Sequence, residues 1–152
     1  MAAGDARAFD LEFAFFGRMA YDTGNVVANL AFATIAHDEQ QHDQFVAQIG
    51  DYATEFWAAL RDEARLLWPR RQPWNEIFLS ALLEDTARYA ATELVRRTVG
   101  LAHVADIDSL DPAPRVRARQ RAVAGARSLA LGPAVRSITD LWTRATPEET
   151  RA

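Results

Sequence analysis

Ala33-Thr34-Ile35-Ala36-His37-Asp38-Glu39-Gln40-Gln41-His42-Asp43 is the stretch on which the reading of this chain turns. It lies within Asn25 to Gln48, whose apolar residues recur at helical spacing. On one helix, Glu39 and His42 stand three residues apart and point the same way. A carboxylate with a neutral imidazole is suitable ligand chemistry for Fe(II) or Mn(II). The stretch therefore reads both as a bundle helix and as half of a metal site.

Working outward, the same periodicity recurs and alternating strand patterns do not, so the expected class is all-α, with five to six helices. A first helix is expected from Asp5 to Tyr21, closed by the turn-forming cluster Asp22-Thr23-Gly24-Asn25. The second runs from Val26 to Ile49 and stops at Gly50. A third begins at Asp51, with Tyr52, Phe56, Leu60, Ala64 and Leu67 on one face, and ends before Pro69. Arg70-Arg71-Gln72-Pro73 is a basic connector, and a fourth helix covers Trp74 to His103 with a break near Gly100. Asp106 to Pro114 reads as a loop. Helices follow from Arg115 to Leu131 and, with Pro133 in its first turn, from Pro133 to Arg144. Residues 1–145 are expected to form one domain and residues 146–152 a polar tail.

Bulk properties narrow the function classes. The 152 residues are enough for one buried core, and the net charge of -4 gives no sign of a nucleic-acid binder. Cysteine is absent, which excludes disulfides, thiolate metal sites and thiol nucleophiles. No apolar run approaches the roughly 18 residues of a membrane span, and Met1 to Asp10 lacks the apolar stretch of a signal peptide. A cytoplasmic protein with no membrane or nucleic-acid partner is expected. Glycines are too scattered for a dinucleotide or phosphate-loop fingerprint, and no nucleophile triad is legible.

One Glu-x-x-His pair is not a complete site. A di-iron bundle takes a carboxylate from each of two helices and a Glu-x-x-His from each of the other two. The midpoint between Glu12 and Glu39 falls at the end of the expected Asp22–Asn25 turn. A hairpin there would place the two carboxylates level, with Asp10 a competitor for the role. Glu84 is a further candidate carboxylate. Glu93-Leu94-Val95-Arg96 has the spacing but ends in a cation, and neither acid nor histidine occurs between Pro112 and Thr139. His103 has Gly100, not an acid, three residues before it.

The residues Asn25 to Phe45, with Asp38, Glu39, His42 and Gln44, resemble the second bundle helix of the ferritin-like superfamily. They are nearest to the hydroxylase subunits of bacterial soluble multicomponent di-iron monooxygenases. That resemblance implies a ferritin-like bundle and iron (a di-iron centre, with manganese an alternative) held by Glu12, Glu39, His42 and Glu84. It also implies O2-dependent hydroxylation as part of an oxygenase. With only one motif retained, two arrangements follow. Either a homo-oligomer completes the centre with a half-site from each chain, or the chain is a non-catalytic scaffold in a hetero-complex with other oxygenase subunits.

Two further features carry information. Arg115, Arg117, Arg119 and Arg121 alternate, which spreads them around a helix; docking onto an acidic partner or onto this chain's own acidic half fits better than a phosphate backbone. Trp57, Trp68, Trp74 and Trp142 are expected as core or interface anchors.

Overall fold

A computed structural model describes residues 17–68 and 76–148. Among these the chain is all-helical, as its periodicity predicts. Six helices occur: α1 (Ala20–Glu39), α2 (Asp43–Leu67), α3 (Glu76–Val99), α4 (Ala105–Asp108), α5 (Pro112–Leu131) and α6 (Ile138–Ala145). The core lies where α1, α3 and α5 meet. Val27, Phe32 and Ile35 of α1 pack with Leu83 and Leu94 of α3, Leu129 of α5 and Leu141 of α6. Alanines fill the contact lines between them, among them Ala28 and Ala31, Ala87 and Ala90, and Ala118 and Ala122. Small side chains there let the helix axes approach. Trp57 and Trp142 are partly buried against this core.

Helix boundaries differ from the sequence reading in an instructive way. Asp22-Thr23-Gly24-Asn25 is not a turn; α1 runs through it. Gly24 is there for proximity. A Cβ on it would lie 2.5 Å from Tyr89 Cβ and 2.9 Å from the backbone nitrogen of Ala90, so glycine lets α1 and α3 touch. Thr23, beside it, is buried and hydrogen-bonds to Thr86 of α3 at 2.7 Å. Gly50 likewise ends nothing and sits inside α2. The break comes instead at Gln40-Gln41-His42, where Gln41 adopts φ 61°, a conformation uncommon for a residue with a side chain.

Other boundaries follow local rules. Trp68, the residue before Pro69, is extended (φ -60°, ψ 135°) and closes α2. Gly100 follows the last residue of α3. One turn of helix, α4, interrupts the expected 106–114 loop, and α5 starts earlier than Arg115, with Pro112 in its first turn. The last helix starts at Ile138 and not at Pro133. Ser137 caps it by accepting a hydrogen bond from the Asp140 backbone at 3.0 Å, and Asp140 reaches back to the Arg136 N–H at 3.1 Å, much as in a capping box. Glu12, most of the expected first helix, Trp74 and the Arg70–Pro73 connector lie outside the described residues, as does the tail beyond Glu148.

Candidate functional site

The end of α1 is held by α5. Glu39 is the last residue of α1, and its carboxylate is almost wholly buried, with 3% of the side chain exposed. Arg117 donates to one of its oxygens at 2.8 Å, and Arg121 to the other at 3.1 Å. Arg121 is itself buried. It reaches Asp38 at 2.6 Å and donates to the Pro147 carbonyl at 2.9 Å. Four residues apart on α5, Arg117 and Arg121 are about one helical turn from each other, so both face the end of α1. The acids that close α1 thus meet the arginines of the acid-free helix, as expected for docking onto the chain's own acidic half. The other arginines of that run also find partners. Arg115 donates twice to the Leu110 carbonyl, at 3.0 and 2.7 Å, and Arg119 pairs with Asp108 at 2.8 Å. Beside Arg119, whose hydrogen bond is the main cause, and His103, the Asp108 carboxyl is held below its ordinary value.

This geometry separates the residues expected to share a metal. The helix ends between Glu39 and His42, so their three-residue spacing no longer places them on one face. Glu39 turns into α5. His42 turns back over α1, where its Nδ1 lies 3.0 Å from Nδ1 of His37. The hairpin argument for Glu12 loses its turn, because α1 is continuous through Gly24. Glu84 lies on α3 and pairs with Arg88 at 3.3 Å. Among the described residues no three of histidine, aspartate or glutamate converge as a metal-ion site. The sequence reading missed the Glu39–arginine clamp. The signal was present in the very stretch counted against the metal site, the arginines of 115–121 without an acid among them.

Fold and clamp together define an all-helical unit locked by buried ion pairs. Comparison with known proteins gives it relatives. No family model matches the chain. It is similar to the methylthioribose kinase of Bacillus pumilus, with 32% identity over 128 residues, 79% of this chain and 31% of that enzyme. The methylthioribose kinase of Bacillus cereus (strain AH187) is 31% identical over 133 residues, 82% of this chain and 33% of the enzyme. That of Exiguobacterium sibiricum is 30% identical over 150 residues, 92% and 38% respectively. The chain spans about one third of the length of these curated relatives. They overturn the resemblance to ferritin-like di-iron monooxygenases, and with it the oxygenase function and the oxygenase-scaffold alternative. An alanine-rich helix carrying Glu-x-x-His is a short pattern that any amphipathic helix can present; similarity over most of the chain is far more specific.

Proposed function

We propose that this chain is the helical part of a phosphotransferase of the methylthioribose kinase type, acting on methylthioribose or a similar sugar. The observation that carries this reading is similarity at 30–32% identity across 79–92% of the chain to enzymes of that one name. The chemistry sets a division of labour. Phosphoryl transfer needs groups that cradle and neutralise phosphates, commonly a glycine-rich loop and a lysine. This sequence has neither: its cationic side chains are all arginines, and most of the described ones are tied to acids or carbonyls. In this reading those groups come from the two thirds of the relatives that the chain does not match. The helices serve as the rigid support on which they are mounted, and the chain works joined to or associated with that remainder. Such transfer also takes a divalent cation. The described residues offer no three-ligand cluster for one, and in this reading its ligands too lie in the remainder.

The test is a chimera in which this chain replaces the matched third of the Bacillus pumilus enzyme, assayed for methylthioribose-dependent consumption of ATP. The chain alone is expected to be inactive and the chimera active. A folded chimera that neither binds methylthioribose nor consumes ATP would refute the reading.

A further inference from the structure

The break between α1 and α2 has no glycine or proline to cause it, yet it brings two imidazoles together through their Nδ1 atoms. Gln41 takes the left-handed conformation, with φ 61°, and the His42 backbone N–H returns to the His37 carbonyl at 3.0 Å. Left-handed backbone at a residue with a side chain costs about 1 kcal/mol or more and persists only where surrounding contacts over-determine it. The contacts here centre on His37. Phe45, in the first turn of α2, lies against its ring at a centroid distance of 4.3 Å, and the His42 ring stands at 5.3 Å. The two Nδ1 atoms are 3.0 Å apart.

We propose that His37 and His42 form a two-imidazole chelate for a divalent transition metal of the zinc, nickel or copper class. The separation carries the argument. With metal–nitrogen bonds of about 2.0–2.1 Å, two ligands at a right angle lie about 2.9 Å apart and two tetrahedral ligands about 3.3 Å apart. The 3.0 Å between the Nδ1 atoms falls between these values, so both can ligate one ion with little movement. Imidazole suits exactly these ions and is poorly matched to magnesium or calcium. Room exists for the remaining ligands. His42 is exposed, and beside it lies an open depression of about 640 Å³ lined by Gln41, His42, Asp43, Gln44, Phe45 and Gln48. Water, or the side-chain oxygens of that wall, would complete the coordination. His42 thus keeps the ligand role expected from the sequence, but with His37 as its partner in place of Glu39. The site is independent of the kinase reading.

Calorimetric titration of the untagged full chain with Zn2+, Ni2+ and Cu2+ tests this, with 15N chemical shifts of the histidine rings as a second readout. One ion per chain is expected, in the affinity order Cu2+ above Ni2+ and Zn2+, with the Nδ1 resonances of His37 and His42 shifting together. His37→Gln and His42→Ala should each weaken binding by at least about tenfold, while His103→Ala leaves it unchanged. His42 is exposed, so His42→Ala carries the test should His37→Gln disturb the fold. Absence of binding in the wild type, as for a pair that only shares a proton, overturns the proposal. So does binding that survives His42→Ala.

Discussion

Replacing Glu39 by glutamine separates the two accounts of this residue by sign. A carboxylate held ready for a metal is uncompensated without it, and neutralising the charge would raise stability. A carboxylate buried between two guanidinium groups does the opposite. Removing one partner of a buried ion pair costs about 3–5 kcal/mol, because the other charge stays buried without compensation. Three features place Glu39→Gln near the lower end. Arg121 keeps Asp38 at 2.6 Å and the Pro147 carbonyl at 2.9 Å. Arg117 is 40% exposed and can turn to water, so its share is about 1 kcal/mol or less. The glutamine oxygen still accepts one hydrogen bond. The expected loss is about 3 kcal/mol. In a domain of this size each kcal/mol lowers Tm by about 2–4 °C. Thermal unfolding followed by circular dichroism should therefore show a fall of about 6–12 °C. Because the pair is buried, the fall should persist in high salt. A Glu39→Gln protein that melts at or above the wild-type temperature would refute the clamp.

Three other outcomes follow from the packing and charges. Gly24→Ala should destabilise by about 1–3 kcal/mol in urea unfolding, since the new Cβ would collide with Tyr89 and Ala90. Helix propensity alone would give a gain of about 1 kcal/mol, so a stabilised variant would show that α1 and α3 stand further apart. Thr86→Val should cost about 1 kcal/mol by removing the hydroxyl opposite Thr23, and adding Thr23→Val should recover most of it; additive losses would contradict a shared hydrogen bond. Asp108 has its carboxyl pKa lowered from 3.8, chiefly by the Arg119 hydrogen bond, against some desolvation and with help from His103. A depressed carboxylate contributes stability above its unfolded pKa and loses it as pH falls through the folded one. The stability difference between wild type and Asp108→Asn should thus be constant near neutrality and shrink only below about pH 4. A gap that closes near pH 6 would point to a different group.

The class of fold was legible because helical periodicity survives averaging over many residues. Positions that depend on contacts between helices were not. Gly24 and Gly50 have the composition of stops, yet both lie within helices. At Gly24 the reason is the approach of Tyr89 on α3; at Gly50 a Cβ would make only an ordinary contact, 3.4 Å from the Trp142 indole nitrogen, and the helix simply runs on. The true break, at Gln40-Gln41-His42, contains none of the residues that usually signal one. It is set by what flanks it: Glu39 held by α5 on one side, His37 covered by His42 and Phe45 on the other. The stop before Pro69 could be read correctly because a proline acts on the local backbone of the residue before it, whereas Pro112, read as part of a loop, opens α5.

The candidate site fails to be legible for the same reason, and the failure has a direction. Spacing within a helix reveals which side chains share a face, but not what lies opposite that face. Glu39 and the arginines at 117 and 121 are far apart in the chain, and the sequence reads them separately, one as a metal ligand and the others as a helix that docks onto an acidic surface without saying which. Neither makes physical sense alone. An arginine-rich helix without acids repels itself, and a carboxylate buried at the end of α1 costs free energy unless it is paired. Packed together, each satisfies the other, and the pair fixes the register of α1 against α5, because a shift of one turn would leave Arg121 buried and unpaired. The same reasoning explains why the clamp holds two buried charges where an apolar pair would be equally stable: only the charged pair penalises every other alignment of the two helices.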